Sequence, residues 1–265
     1  MKLFTIAKDI ISPMIVRLEK FAGINLPLVS VLCYHSISSD NSLVDVTREQ
    51  FISHLEYLEK KFEFITLEDV TGYIKGDKII SRPSVAITFD DGYKDLVDIV
   101  LPILETRNIP AAVFVLAEPE KANRNILGNI KPLMNSEEMI YLQNKGWTIG
   151  CHAATHKELT NIDNEALEHE IVKAKKIIEE KLGRPVKFLA YPQGLYDQKT
   201  VEASQRAGYL GALTTDAGFI STKTLMLQIP RVCVDRTHTL TQFRALLTKS
   251  SVRYFQIKKK IGIKN

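Results

Sequence analysis

The chain has 265 residues, of which 45% are hydrophobic and 25% charged. This composition is typical of globular proteins and excludes disordered, collagen-like and low-complexity chains. No apolar run reaches the roughly 18–20 residues that a spanning helix needs, because charged residues interrupt every candidate. The three cysteines form no Cys-x-x-Cys pair, which favours a reducing compartment over a disulfide-stapled secreted fold.

The charges are unevenly distributed along the chain. Net charge is +4, yet eight Lys or Arg and no acid follow Asp235, so the first 235 residues carry 27 bases and 31 acids. The basic tail, 249–265, is expected either to contact an anionic membrane surface or to be a solvated end. Its lysines form one short run without interleaved aromatic residues, so we expect no nucleic-acid partner.

The first segment, 1–24, contains an amphipathic pattern over residues 3–22. This helix is expected to pack across the bottom of the fold or to lie in a membrane interface. Charged residues interrupt its apolar face and no small-residue cleavage site follows, so we expect no export signal. The expected location is therefore cytoplasmic. The basic tail suggests, in addition, peripheral contact with the inner face of the membrane.

Short apolar runs then alternate with helical patterns, which is typical of α/β proteins with a largely parallel sheet. The expected strands are 29–35, 62–66, 84–89, 111–117, 147–151, 186–191, 211–215 and 229–234. The expected helical segments are 47–60, 94–106, 136–145, 163–182 and 197–207. Seven or eight parallel strands separated by helices predict a distorted (β/α) barrel of the TIM type, with one domain over 25–248. Residues 118–135 lack periodicity and are either a lid or a surface insertion.

Two adjacent carboxylates end the third expected strand. Asp90 and Asp91 follow an apolar, β-branched run and precede Gly92. Neighbouring like charges repel, so the pair is explained best if one carboxylate binds a cation and the other remains a free base. The alternative is an Asp-Asp-Gly turn with a helix N-cap.

Two histidines follow the fifth expected strand. His152 and His156 have the i, i+4 spacing that places two imidazoles on one face of a helical turn. In a parallel barrel all strand carboxyl ends meet on one rim, so both histidines and the two aspartates can converge. Two His and one Asp leave coordination positions open, as in hydrolytic zinc sites.

Three further polar features lie at strand ends. The first strand ends in Tyr34-His35, and the sixth is followed by Tyr191-Pro-Gln-Gly194. Arg231 is embedded in the apolar last strand and needs an anionic partner, for which the free carboxylate of the aspartate pair is the candidate.

These residues resemble the polysaccharide deacetylase family, the NodB-homology or family-4 carbohydrate esterases. Thr88-Phe-Asp-Asp-Gly92, His152-Ala-Ala-Thr-His156 and Tyr191-Pro-Gln-Gly194 are similar to its first three motifs. The resemblance covers about residues 29–234 and is closest to the branch with an early Tyr-His strand.

The resemblance implies a divalent metal, zinc in most members, and a set of residue roles. Asp91, His152 and His156 would be the ligands, and Asp90 the general base assisted by Arg231. The expected substrate-binding residues are Tyr93, Tyr191, Pro192, Gln193 and Gly194, with the Gln193 N–H on the oxyanion. The chain departs from the family at Ala190, where an arginine is usual, and at Ala153, where Ser or Thr is usual. The family usually takes its general acid from a late Leu-x-His motif, and His238 lies near that position without the apolar strand context. His35 is therefore the expected general acid and His238 the alternative.

The expected function is metal-dependent removal of acetyl groups from an N-acetylated sugar in a polysaccharide, glycolipid or lipid-linked precursor. Two alternatives remain open from the residues. The same site could hydrolyse an O-acetyl ester or a cyclic imide, or the chain could be a sugar-binding module without catalysis.

Overall fold

The apolar runs of the sequence form the strands of one curved, parallel sheet. The computed structural model describes residues 26–40, 42–122 and 131–250. The strands are β1 (Val29–Tyr34), β2 (Glu63–Phe64), β3 (Ser84–Phe89), β4 (Ala111–Val115), β5 (Thr148–Cys151), β6 (Phe188–Ala190), β7 (Gly211–Leu213) and β8 (Val232–Cys233). Their order is β7-β6-β5-β4-β3-β1-β8, with β2 beside the first half of β3, and every paired strand is parallel.

The two ends of the sheet are joined through the segment that leads into β8. Ile229 forms a parallel bridge with Leu213 of β7, while β8 itself pairs with β1. The expected distorted (β/α) barrel of eight parallel strands is thereby confirmed. The distortion arises because β2 and β8 are only two residues long, and because β2 and β4 share one edge of β3.

The helices surround this sheet. They are α1 (Arg48–Glu59), α2 (Leu67–Lys75), α3 (Leu101–Glu105), α4 (Ser136–Asn144), α5 (Asn164–Glu168), α6 (Ala174–Leu182), α7 (Gln198–Arg206) and α8 (Leu240–Leu246). A π-helical segment, Leu96–Val100, precedes α3, and another, His169–Lys173, joins α5 to α6. The five expected helical segments are present, whereas α2 and α8 were not expected. Both begin with a capping box that the sequence contains, at Thr66 and Thr239.

Helix α2 lies across the amino ends of the strands. Its residues Leu67, Val70 and Ile74 pack in the same core cluster as the inward-facing strand residues. Glu68 contacts Thr148 at the start of β5 and Lys187 just before β6. The bottom of the barrel is therefore covered by α2, which leaves the carboxyl ends of the strands for the site.

Strand alternation decides which side chains enter the barrel. Val31 and Ala86 belong to the inner core cluster, whereas Leu32 and Ile87 belong to the cluster that packs against the surrounding helices. Successive side chains point to opposite faces, so the inward series continues past the end of β3 to Asp90. The same alternation brings further polar side chains to the upper interior of the barrel: Cys33, His35, Thr88, Arg231 and Cys233.

Several expectations fall outside the described residues. These are the helix over 3–22, residues 123–130 of the segment 118–135, and residues 251–265 of the basic tail. The proposed boundaries 1–24, 25–248 and 249–265 therefore stay predictions, as does a lid. Over the ranges that are described, none of the helices has the length and apolar character needed to cross a membrane.

Candidate active site

Asp90 is paired with Arg231 inside the barrel. Both side chains are almost fully buried, and the guanidinium donates from Nη1 to Oδ1 at 2.8 Å and from Nη2 to Oδ2 at 2.7 Å. A two-point contact of this kind fixes the plane of the carboxylate as well as its position. The partner that the sequence suggests for Arg231 is the one that the structure gives it.

Neighbouring groups hold this pair in place. Arg231 also donates from Nε to the carbonyl of Thr214 at 3.0 Å and from Nη1 to the hydroxyl of Thr88 at 3.2 Å. The thiol of Cys33 lies 3.4 Å from Asp90 Oδ2 and donates to it. Burial would raise the pKa of the Asp90 carboxyl, but the charge and hydrogen bonds of Arg231, together with the neighbouring His152 and His35, outweigh burial and hold that pKa well below its usual range. Asp90 is therefore an oriented anion at neutral pH.

Asp91, the adjacent residue, faces the two histidines. Its Oδ1 lies 3.5 Å from His152 Nε2 and 3.5 Å from His156 Nε2, and all three side chains are buried. Each residue offers one ligand atom, and these atoms lie within 4.8 Å of one another. The three residues that the sequence selects as metal ligands are thus brought together from two strand ends.

The backbone that carries these ligands is irregular. Asp91, Ala153 and His156 have left-handed φ angles of 70°, 66° and 61°. The expectation of a helical turn over 152–156 is wrong, because residues in this conformation interrupt an α-helix. The histidines converge through a loop instead.

The loop is favourable for metal binding because of how the imidazoles are oriented. His152 Nδ1 donates to the carbonyl of Ala190 at 2.8 Å, which orients the ring so that its Nε2 faces Asp91. Burial, followed by the neighbouring His152, lowers the pKa of His156 to about 4, so its ring is neutral at neutral pH. Neutral imidazole is the form that binds metal.

The fit to a cation can be judged from Asp91. Among the described residues, its buried Oδ1 has no hydrogen-bond partner. Two ligand atoms bound at about 2.0–2.1 Å to a tetrahedral zinc are about 3.3 Å apart, close to the 3.5 Å seen between Asp91 Oδ1 and each Nε2. The donor set therefore fits a divalent cation, without identifying which one.

The two candidate acids lie in different places. His35 is partly buried and shares a cluster with Cys33 and Asp90, whose candidate ligand atoms also lie within 4.8 Å of one another. His238 is buried, is not part of that cluster, and accepts a hydrogen bond at Nδ1 from the backbone N–H of Asp235. Geometry therefore favours His35 over His238 as a group that acts beside Asp90.

The residues expected to bind substrate differ in exposure. Tyr191 is fully buried, with its hydroxyl on the carbonyl of Leu227, and Tyr93 is 2% exposed. Burial and the charge of Asp91 raise the pKa of Tyr93, whose hydroxyl bonds to that carboxylate. In this conformation neither tyrosine offers surface to a sugar, so their expected role in substrate binding stays a prediction.

In the turn Tyr191-Pro-Gln-Gly194, which follows β6, Gln193 is the exposed residue. Pro192 is buried, whereas Gln193 is exposed and has a left-handed φ of 57°. Gly194 has a φ of 70°, and a Cβ there would lie 1.9 Å from Thr215 Oγ1, so only glycine fits. The turn is rigid and presents the backbone of Gln193 at the rim.

Some polar residues beside the site escape sequence reasoning. Lys131 is buried and donates to Ser36 at 2.8 Å, Ser38 at 2.7 Å and Asp45 at 2.6 Å. It fixes the segment 131–134, whose Leu133 bridges Tyr93, two residues after Asp91. No local motif marks Lys131, because lysine is common in surface loops and only the fold shows that it is buried.

Comparison with known proteins identifies the class. A family model described as polysaccharide deacetylase matches residues 77–212, just over half of the chain. A protein of Bacillus subtilis (strain 168) named as a polysaccharide deacetylase, YxkH, is 29% identical over 205 residues, covering 77% of this chain and 70% of the relative. The chain belongs to the polysaccharide deacetylase family, as its motifs suggest.

Two further relatives extend the comparison. The poly-β-1,6-N-acetyl-D-glucosamine N-deacetylase of Staphylococcus epidermidis is 24% identical over 216 residues, covering 78% of this chain and 74% of that protein. The structure of the Streptococcus pyogenes deacetylase PplD in complex with acetate has a TM-score of 0.72 at 20% identity, covering 83% of this chain and 97% of that one. The structural likeness concerns the fold.

Proposed function

We propose that this protein is a metal-dependent hydrolase that removes acetyl groups from an N-acetylated sugar polymer. The observation that carries the proposal is the division of labour between adjacent carboxylates. Asp90 is held as an oriented anion by Arg231, while Asp91 joins two buried imidazoles in a donor set that fits a divalent cation. Hydrolysis of an amide needs both a base and a Lewis acid close together.

Asp91, His152 and His156 would hold the cation, and zinc is the proposed ion. When bound, it would polarise the acetamide carbonyl and lower the pKa of the attacking water. The chain contributes the orientation of the ligands. Hydrogen bonding of His152 to Ala190 and of Asp91 to Tyr93 fixes the two side chains before any ion arrives.

Asp90 is the proposed general base. Its depressed pKa keeps it ionised, and the guanidinium of Arg231 occupies both carboxylate oxygens on one side, which directs the remaining lone pairs to the rim. There it would take the proton of the attacking water. Arg231 acts through Asp90 and is therefore a positioning residue.

His35 is the proposed general acid, which protonates the nitrogen of the leaving sugar amine. Its place in the cluster with Asp90 supports this role, and His238 is the alternative acid. The Gln193 N–H, held at the rim by the rigid turn, would donate a hydrogen bond to the oxyanion of the tetrahedral intermediate. Pro192 and Gly194 would shape that turn.

The proposed substrate class is a polymer containing N-acetylglucosamine. Support comes from the staphylococcal relative, whose name states poly-β-1,6-N-acetyl-D-glucosamine as its substrate. Contact of the basic segment 249–265 with an anionic membrane is a separate proposal. Cosedimentation with phosphatidylserine vesicles would support it, and absence of binding at low salt would contradict it.

The function is tested by measuring amine release from β-1,6-linked N-acetylglucosamine oligomers. An O-acetylated sugar and a cyclic imide serve as competing substrates, and Asp98→Asn, at an exposed position, is the matched control for Asp90→Asn. We expect new amine from the oligomers with wild type and with the control only. Acetate release from the ester alone would make the protein an esterase, and oligomer binding without any turnover would make it a binding module.

A further inference from the structure

The loop that carries both metal-binding histidines needs support from outside itself. Ala153 and His156 adopt left-handed φ angles of 66° and 61°, and neither is glycine. Non-glycine residues in this conformation are strained and persist only where surrounding contacts hold them. Ala153 has no polar side chain with which to fasten the loop.

The carboxylate of Glu170 supplies that support. Its Oε2 accepts hydrogen bonds from the backbone N–H of Ala154 at 2.9 Å and of Thr155 at 2.8 Å. Its Oε1 accepts the hydroxyl of Thr155 at 2.5 Å. Glu170 is 1% exposed, so these three bonds are made away from water.

Glu170 belongs to a rigid part of the fold. It lies in the π-helical segment His169–Lys173, where the helix widens between α5 and α6. The next residue, Ile171, is fully buried, and its carbonyl accepts the hydroxyl of Tyr209 at 3.2 Å. The carboxylate therefore reaches the loop from a fixed position, 15 residues beyond Thr155 in the chain. Single π-turns of this kind are frequent at functional sites.

We propose that Glu170 is a positioning residue for the metal ligands. By fixing the backbone at Ala154 and Thr155, it holds two of the three residues between His152 and His156, so that both Nε2 atoms converge on Asp91. The assignment rests on the proposed metal site and is independent of which sugar is the substrate.

Two substitutions separate this role from general stabilisation. Glu170→Ala leaves two buried N–H groups without an acceptor, so the loop should relax and metal affinity should fall about tenfold to a hundredfold. Glu170→Gln should recover most of that affinity, because its amide oxygen can accept the same two N–H groups. Thr155→Val removes one bond only and should weaken metal binding about threefold.

The experiment titrates zinc into chelator-stripped protein by calorimetry and follows amide hydrogen exchange over 153–156 without metal. Glu180→Ala, exposed on α6 of the same helical stretch, is the matched control. We expect weaker zinc binding and faster loop exchange in Glu170→Ala, recovery in Glu170→Gln, and no change in the control. Should Glu170→Ala fail to fold, Thr155→Val gives the same comparison on a smaller scale.

Two results would overturn the assignment, and they are distinguishable. If Glu170→Ala, or Thr155→Val in its place, bound zinc within about 1.5-fold of wild type, Glu170 would have no positioning role although the metal site stood. If wild type itself bound no zinc after reconstitution, the proposed metal site would be wrong and the role of Glu170 would fall with it.

Discussion

Asp90 and Asp91 are neighbours in the chain, yet the protein treats their charges in opposite ways. Asp90 continues the inward series of β3, where Arg231 meets both of its oxygens. Asp91 turns away through a left-handed backbone and leaves Oδ1 buried without a hydrogen-bond partner among the described residues. One carboxylate is paired with a cationic side chain, and the other faces the imidazoles of His152 and His156.

The difference explains how two like charges are tolerated side by side. A buried carboxylate is costly unless it is paired. Arg231 neutralises the first within the fold, so the proposed base is organised before substrate arrives, whereas the second would be neutralised by the proposed cation. For Asp90 and Asp91 to exchange partners, Arg231 and the two histidines would have to exchange positions.

Separate substitution of the two aspartates should have the largest effects, one on metal binding and the other on amine release. Asp91→Asn should abolish zinc binding, because it removes the anionic ligand. Asp90→Asn should keep zinc binding but lower amine release about a hundredfold to ten-thousandfold, because the base is lost. Metal analysis and amine release are measured on the same samples. Loss of zinc from Asp90→Asn at unchanged folding would contradict the separation.

Removal of Arg231 should have the next largest effect. Arg231→Met leaves Asp90 buried and unpaired, so the free energy of unfolding should fall by about 3–5 kcal/mol in urea titrations. Combining it with Asp90→Asn should recover part of that loss, since no unpaired charge remains. Arg206→Met removes an exposed ion pair to Glu168 and should cost less than about 1 kcal/mol. Equal losses for the buried and the exposed arginine would refute the pairing.

Metal should stabilise the folded chain through the site that contains Asp91, and independently of Asp90. At a free zinc concentration of a hundred times Kd, the free energy of unfolding should rise by about 2.7 kcal/mol. The increase should persist in Asp90→Asn and vanish in Asp91→Asn. Thermal unfolding with and without chelator measures it, and stabilisation of Asp91→Asn by zinc would place the ion elsewhere.

His54 provides a buried ionisable group outside the site, whose effect depends on pH and is independent of metal. Burial, followed by the charge of His238, lowers the pKa of His54 from 6.5 to about 4. The unfolded chain therefore binds the proton first as pH falls, and stability present above pH 6.5 is lost progressively towards pH 4. His54→Gln should flatten this part of the stability profile, measured by urea unfolding across that range. An unchanged slope would mean that His54 titrates normally.

Much of this arrangement could be predicted from the sequence, because it is local. The strands are apolar runs that end at polar residues, and the positions of Asp90 and His152 follow from where those runs stop. Arg231 is conspicuous for another reason, because it is a charge inside the last apolar run. The capping box at Thr66 was also available and would have predicted α2. The bridge between Leu213 of β7 and Ile229, which joins the two ends of the sheet, was not predictable, because nothing in the sequence near either residue encodes it.

The contacts that sequence could not give depend on burial. Glu170 is one acid among several on a long helical pattern, and only the fold shows that it is buried under the histidine loop. The left-handed residues of that loop are not glycines, so the spacing of His152 and His156 suggested a helical turn that does not exist. Tertiary support overrides local preference at both places.

The most direct test of the central claim is a crystal structure of the zinc-reconstituted protein with anomalous scattering at the zinc edge. We expect one strong peak bounded by Asp91, His152 and His156, with Asp90 still paired to Arg231. A peak bounded instead by Cys33, His35 and Asp90, the other cluster of metal-ligating side chains in the described chain, would contradict it.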